Sequence, residues 1–162
     1  MFYPLKFMPL YKDYIWGGRN LERLGKILPA GIIAESWEVS CHPDGISIVS
    51  NGLFEGTPLP ELIKKYGRLI VGAALPKKDI IKFPLLVKFI DANADLSVQV
   101  HPDDEYARLN ENGEYGKNEM WYIISAKPGA KLIYDVAPGT GKEAFRLALE
   151  SENLESYLKY VE

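Results

Sequence analysis

Short segments bounded by glycine and proline dominate the middle of this sequence, which has 14 glycines and 11 prolines in 162 residues. The segments between these breaks are rich in aromatic and β-branched residues, a pattern typical of β-rich domains. It predicts a mainly β fold with a few helices. The predicted strands cover residues 4–7, 33–40, 46–49, 85–90, 97–100, 119–125 and 131–136.

Helical spacing of apolar residues interrupts this β pattern in three places. In residues 59–66 the apolar side chains form one stripe, which begins after a proline and ends at Gly67. A short helix is predicted over residues 103–110. A longer helical region is predicted after Gly141, with a polar break at 151–153 and a second helical stretch over 154–161.

Length and charge restrict the classes of function. A chain of 162 residues is long enough for one domain with a real core, so we predict a single domain over residues 1–162. The formal net charge is -3, from 19 Lys and Arg against 22 Asp and Glu, and no run of basic residues is present. Nucleic acid is therefore not expected as a partner.

Cysteine content and hydropathy predict a cytoplasmic protein. Cys41 is the single cysteine, so no disulfide forms within the chain, which suits a reducing compartment. The N-terminal segment is interrupted by Pro4 and Pro9, so we expect neither a signal peptide nor an anchor. No segment approaches the roughly 20 apolar residues of a membrane span, and no membrane partner is expected.

The segment LSVQVHPDD, which begins at Leu96, contains the first candidate site. In a strand, alternate side chains project from the same face, so Ser97, Gln99 and His101 are expected to share one face. This face either meets solvent or forms a polar site.

A second polar pattern occurs in GKNEMWYII, where Lys117, Glu119 and Trp121 lie at alternate positions and are expected on the same face of a strand. Together with Gln99 and His101, Glu119 completes a set of one amide oxygen, one imidazole nitrogen and one carboxylate. Mixed N and O donors suit zinc and also admit manganese or cobalt. A solvated acidic residue remains the alternative for Glu119.

Lys88 is a single basic residue in FPLLVKFI, an otherwise apolar predicted strand. Such a lysine either extends to the sheet edge or points into a polar cavity that binds an anion. The DANAD turn that follows predicts a hairpin, which would bring Lys88 close to the strand of Gln99 and His101.

Four segments together resemble type I phosphomannose isomerases (mannose-6-phosphate isomerases) of the cupin superfamily, and the short bacterial branch in particular. They are YIWGG, AESWEVSCHPDG, FPLLVKFIDANADLSVQVHPDD and GKNEMWYIISAKPGAKLIYD. The resemblance implies a jelly-roll-like cupin β-barrel. It also implies interconversion of mannose 6-phosphate and fructose 6-phosphate, with a phosphorylated hexose as the substrate and one bound Zn²⁺.

The resemblance assigns roles to individual residues. Three are implied to bind the metal: Gln99, His101 and Glu119. Lys117 is implied to take part in proton transfer, and Lys88 and Ser97 are implied to contact substrate. Trp16 in YIWGG is a further candidate for the pocket lining, with a structural aromatic as the alternative.

The chain departs from the family pattern in its histidines. It contains two, His42 and His101, and His42 lies in a segment that supplies no ligand in the family. The family's fourth ligand, a histidine on a later strand, and a substrate-binding arginine are therefore expected to be absent. We expect the N-terminal half of such an isomerase, with a barrel that is incomplete at the C-terminus.

Two hypotheses about function follow from these observations. The first is a zinc-dependent isomerase, and the second is a half-cupin that binds metal or carbohydrate, or is purely structural, without catalysis. Nucleophilic catalysis by Cys41 with His42 is disfavoured, because adjacent strand residues point to opposite faces. An unfinished barrel would expose strand edges, so a homodimer through those edges is expected.

Overall fold

The computed structural model describes residues 3–162, and these residues cluster into two compact units. The first unit ends at Ser97 and the second spans Val98–Glu162. That the whole chain forms one domain stays a prediction.

An antiparallel sheet of three strands organises the first unit. Its order is β1 (Leu10–Lys12), β2 (Glu35–Val39) and β5 (Val87–Ile90). Trp37 in the central strand pairs with Leu10 on one side and Lys88 on the other. Two short strands, β3 (Cys41–His42) and β4 (Gly45–Ile46), form a separate hairpin.

Three helices lie in the first unit: α1 (Leu59–Tyr66), α2 (Arg68–Val71) and α3 (Lys77–Ile81). The first of them follows Pro58 and buries one apolar face, made of Leu59, Leu62 and Ile63. Gly67, with φ 49°, ends it in a backbone conformation that favours glycine. The helix predicted over residues 59–66 is therefore confirmed.

The second unit combines two helices with a two-stranded sheet. Its elements are α4 (Asp104–Asn110), β6 (Leu132–Val136), α5 (Lys142–Glu150) and β7 (Leu158–Val161). The two strands pair antiparallel. No sheet within residues 3–162 closes into a barrel, which agrees with the predicted incomplete cupin. None of the helices described is long and apolar enough to cross a membrane.

Five further predicted elements are confirmed in type. The strands predicted over 33–40, 85–90 and 131–136 contain β2, β5 and β6. The helices predicted over 103–110 and after Gly141 correspond to α4 and α5. These segments combine a consistent apolar pattern with clear end signals, which explains the agreement.

Near the N-terminus, one predicted strand is wrong and a second is shorter than predicted. In residues 4–7 only Phe7 forms an isolated bridge, to Val49, and the first strand is β1. Pro4 and Pro9 have no N–H to donate, which limits a continuous ladder there. In residues 46–49 the strand ends at Ile46, with isolated bridges beyond it.

The strands predicted over 97–100 and 119–125 are also wrong, because neither segment belongs to a strand in the described chain. A strand needs a hydrogen-bonded neighbour as well as a suitable sequence. No strand within residues 3–162 is paired with either segment. Shared strand parity therefore does not place Gln99 and His101 on one face.

The helix predicted over 154–161 is wrong as well. A 3-10 turn at Glu155–Tyr157 leads into β7, which pairs with β6 through contacts such as Leu132 with Val161. The leucine and tyrosine spacing fits a helix, but the partner strand offers backbone hydrogen bonds that favour the extended form. Tertiary pairing overrides the local pattern here.

Candidate functional site

Hydrogen bonds from backbone N–H groups to aspartate side chains and to one carbonyl fold the loop after α4 back onto the residues that follow His101. The carboxylate of Asp103 caps α4 by accepting from the N–H of Tyr106 at 2.8 Å. Asp104 accepts from the N–H of Gly116 at 2.9 Å, and the N–H of Lys117 donates to the carbonyl of Pro102 at 3.0 Å. Lys117 is thereby brought close to His101.

Gly116 is required for this close approach. A Cβ atom at this position would lie 2.4 Å from the carbonyl carbon of Asp103 and from the nitrogen of Asp104. Both are backbone atoms that cannot move aside cheaply. A larger residue at Gly116 would therefore push the loop away from the N-terminus of α4, at Asp103 and Asp104.

Three side chains meet beside this loop: His101, Lys117 and Glu119. Nε2 of His101 lies 3.0 Å from Oε2 of Glu119. Nζ of Lys117 lies 2.6 Å from Oε1 of Glu119 and 3.2 Å from the same Nε2 of His101. About a quarter of the His101 and Glu119 side chains is exposed, at 25% and 26%. The cluster is therefore accessible to a ligand.

The electrostatics of the cluster favour a charged carboxylate. Burial by itself would raise the pKa of Glu119, but the hydrogen bond and positive charge of Lys117 outweigh it, with a further contribution from His101. The net effect lowers the pKa of Glu119 below its ordinary value. Glu119 is therefore an anion at neutral pH, as a metal ligand must be.

The donor chemistry of this cluster fits a divalent metal. Nε2 of His101 and the carboxylate of Glu119 are adjacent and together offer the N and O donors that zinc accepts. Gln99 lies two residues before His101. Within residues 3–162, no group of three or more His, Cys, Asp or Glu side chains could hold a metal, so any third ligand from these residues would be of another type, such as this amide.

The predicted site residues fall in both units. The first contains Trp16, Lys88 and Ser97, and the second contains Gln99, His101, Lys117 and Glu119. Contacts are observed among His101, Lys117 and Glu119. Lys88 is paired inside its own unit.

Lys88 forms an ion pair with Glu35. Nζ of Lys88 lies 2.8 Å from Oε1 of Glu35, a residue only 5% exposed, in the neighbouring strand. The other carboxylate oxygen accepts from the indole N–H of Trp37 at 2.7 Å. The positive charge of Lys88 is therefore compensated within the protein.

The loop of Trp16 is anchored by a buried carboxylate at the end of β5. Asp91 accepts from the backbone and side-chain N–H groups of Asn20 at 2.7 and 2.9 Å, and from the amide of Asn93 at 2.8 Å. The N–H of Asn93 in turn donates to the carbonyl of Trp16 at 2.8 Å. The half-buried ring of Trp16 stacks on Tyr14.

Sequence reasoning missed Glu35, Asp91 and Gly116 as residues that position the site. The signal for Glu35 was an acidic residue in the predicted strand 33–40, and buried charges are usually paired. Asp91 and Gly116 offered no comparable signal, because their roles depend on residues distant in the chain.

Cys41 is not an activated nucleophile. Burial raises the pKa of its thiol to about 11, so the thiolate form is scarce at neutral pH. His42 instead makes its contacts with Asp44, whose N–H donates to Nδ1 at 3.2 Å. Nucleophilic catalysis by this pair has no support in the geometry.

Comparison with known proteins identifies relatives of this chain. The family model of the type I phosphomannose isomerase catalytic domain matches residues 5–127. A mannose-6-phosphate isomerase of Bacillus subtilis is 40% identical over 158 residues, which are 98% of this chain and 48% of that protein. A mannose-6-phosphate isomerase of Streptococcus mutans is 45% identical over 132 residues, 81% of this chain and 40% of the relative.

A solved structure has the same fold. The crystal structure of a mannose 6-phosphate isomerase from Bacillus subtilis matches with a TM-score of 0.88 and 38% identity, over 98% of this chain and 49% of that one. The likeness confirms the predicted β-rich, cupin-type fold. The chain spans about half the length of the curated relatives it matches.

Proposed function

This chain belongs to the type I phosphomannose isomerase family, and on that premise we propose that its His101–Lys117–Glu119 cluster serves the interconversion of mannose 6-phosphate and fructose 6-phosphate. The observation that supports the proposal is the contact of a histidine nitrogen, a carboxylate and an ammonium group within 3.2 Å. Titratable side chains grouped in this way at an accessible position are candidates for metal binding or proton transfer.

Zinc is the metal proposed for this site, with Gln99, His101 and Glu119 as the ligands from this chain. When bound, it supplies Lewis acidity that stabilises negative charge developing on a sugar oxygen. His101 and Glu119 act only as ligands in this proposal. A carboxylate that holds the metal is not free to serve as the base as well, so Glu119 is not assigned that role.

Lys117 is the residue proposed to move the proton. An aldose–ketose isomerisation transfers a proton between adjacent carbons, so a base must lie within hydrogen-bond reach of that proton. To accept it, Lys117 must first give up the proton of its ammonium group, and the positive charge of a bound metal would favour that loss. The Lys117 side chain is the most exposed of the three, with 41% of it accessible to solvent. Its contacts with Glu119 and His101 hold the amine next to the proposed metal ligands.

Substrate contacts are proposed for Trp16, Lys88 and Ser97 in the first unit. The pairing of Lys88 with Glu35 changes what this lysine can bind, because a neutral pair offers both a donor and an acceptor. Such a pair suits a sugar hydroxyl group better than a phosphate dianion. We therefore propose hydroxyl recognition at Lys88 and look to other groups for the phosphate.

Efficient turnover is proposed to need groups that these 162 residues do not supply. Of the two histidines, His101 is in the cluster, while His42 contacts Asp44. A tetrahedral zinc site with Gln99, His101 and Glu119 would still need a fourth ligand. The alternative function is a half-cupin that binds metal or carbohydrate without catalysis, and it fits the same lack of a fourth ligand among these residues.

The single cysteine supports a cytoplasmic location for either function.

The proposal is tested by joining this chain to the unmatched second half of the Bacillus subtilis relative and measuring isomerisation of mannose 6-phosphate. We expect activity in the fusion, and loss of at least about 100-fold in His101→Ala, because a metal ligand is removed. His42→Ala is the matched control, since it removes the other histidine. An active His101→Ala fusion would refute the assigned role of His101.

A further inference from the structure

Two Asn-Gly sequences occur in this chain, at residues 51–52 and 112–113. An asparagine that precedes glycine can lose its side-chain amide without an enzyme, because glycine has no side chain to shield its backbone nitrogen or restrict its backbone. That nitrogen attacks the asparagine side chain whenever the backbone brings the two groups together. The structure holds the two asparagines in different environments, so their reactivities should differ.

Asn51 is fixed by hydrogen bonds on both polar atoms of its side chain. Its Oδ1 accepts from the backbone N–H of Lys6 at 2.8 Å, and its Nδ2 donates to the carbonyl of Pro4 at 3.1 Å. The backbone carbonyl of Asn51 accepts from the hydroxyl of Tyr3 at 3.0 Å. The Asn51 side chain is therefore held against the N-terminal segment, and attack by Gly52 requires these contacts to break first.

Asn112 lies in an exposed turn over residues 111–114, here named the Asn112 turn. The N–H of Glu114 closes the turn by donating to the carbonyl of Glu111 at 2.9 Å. Asn112 and Gly113 have φ of 53° and 77°, the left-handed conformation that Asn-Gly turns favour. Within residues 3–162, the side chain of Asn112 makes no hydrogen bond. An exposed turn of this kind opens locally at little cost, which lets the Asn112 side chain reach the reactive geometry.

We propose that Asn112 is a site of non-enzymatic deamidation and that Asn51 is protected by its contacts. The backbone nitrogen of Gly113 attacks Cγ of Asn112 and forms an N–Cγ bond. The Cγ–Nδ2 bond breaks, and ammonia leaves with the proton of the Gly113 N–H, so a cyclic imide remains. Water then opens the ring at Cγ to give aspartate, or at the main-chain carbonyl to give isoaspartate. The overall reaction consumes one water and releases one ammonia.

Modification of Asn112 should alter the loop that positions Lys117. Isoaspartate adds a methylene to the main chain after residue 112, which disrupts the hydrogen bond that closes the Asn112 turn. Aspartate keeps the normal main chain and adds only a negative charge. The chain runs from this turn to Gly116, whose N–H donates to Asp104, and then to Lys117. The isoaspartyl form should therefore hold Lys117 less firmly, and this effect does not depend on the proposed function.

Peptide mapping by mass spectrometry tests the proposal after the folded chain is incubated in mildly alkaline buffer, because base promotes attack by the glycine nitrogen. We expect Asn112 to deamidate at least about tenfold faster than Asn51, since two side-chain hydrogen bonds must break at Asn51 first. In urea that unfolds the chain, the two rates should become similar. Equal rates in the folded chain would overturn the proposal. A difference that persists unchanged in urea would also overturn it, because sequence alone would then explain the difference.

Hydrogen exchange tests the consequence for the loop. The amides of Gly116 and Lys117 should exchange at least about tenfold faster in the isoaspartyl chain than in the unmodified chain. Freshly prepared Asn112→Asp is the matched control: it carries the new charge on a normal main chain and should exchange as the unmodified chain does. Unchanged exchange in the isoaspartyl chain, or equally fast exchange in Asn112→Asp, would contradict the effect assigned to the lengthened main chain.

Discussion

The ammonium group of Lys117 lies 2.6 Å from the carboxylate of Glu119 and 3.2 Å from Nε2 of His101. Lys117 therefore contacts the same atoms that would hold a metal ion. A bound cation and the lysine ammonium repel each other and compete for these donors. The strength of metal binding should depend on Lys117 although it is not a ligand.

Lys117→Met is predicted to tighten metal binding by about tenfold, equivalent to about 1.4 kcal/mol, because a competing positive charge is removed. Isothermal titration with Zn²⁺ or Co²⁺ measures the change. Lys127→Met, which removes another exposed lysine of the second unit, should leave the affinity unchanged. Equal or weaker binding in Lys117→Met would show that this amine does not oppose the metal.

The lowered pKa of Glu119 predicts a pH-dependent contribution to stability. The folded state holds this carboxylate charged down to a lower pH than the unfolded state, so the contribution is complete above the unfolded value of about 4.3. It is lost as pH falls through the lower pKa of the folded state. Urea unfolding of the chain and of Glu119→Gln should differ most at neutral pH and converge in acid. A constant difference across this range would contradict the predicted linkage.

The Glu35–Lys88 pair predicts an asymmetric response to substitution. Lys88→Met removes the positive charge beside the buried carboxylate of Glu35, which keeps its hydrogen bond from the indole of Trp37. This loss should lower the free energy of unfolding by up to about 3 kcal/mol. The double substitution Glu35→Leu with Lys88→Met should be less destabilising than Lys88→Met alone, because no unpaired charge remains. Urea denaturation of the single and double variants measures both. Additive losses would mean that the two residues act independently.

The sequence was informative where one segment determines its own structure. The stripe of α1, the short helix α4 and the apolar strand around Lys88 could each be predicted from neighbouring residues. The choice of His101 and Glu119 as candidate ligands followed from donor chemistry and family resemblance, and the two side chains are in contact in the structure.

Features that depend on distant residues were not predicted. The strand β7 was predicted as a helix, since its pairing with β6 is not visible in local spacing. The pairing of Lys88 with Glu35 links residues 53 positions apart, and the sequence offered an anion site instead. The proximity of Lys117 to His101 depends on the backbone contact of Gly116 with Asp103 and Asp104. Such long-range contacts determine which polar side chains are paired with each other.

Metal binding by His101 and Glu119 can be measured by a Co²⁺ titration of the 162-residue chain, because cobalt reports its ligands by absorption. We predict one weak site, with affinity at least about tenfold lower in His101→Ala and in Glu119→Gln. His42→Ala, which removes the other histidine, should bind cobalt as the unmodified chain does. Unchanged binding in His101→Ala, or an equal loss in His42→Ala, would contradict the account.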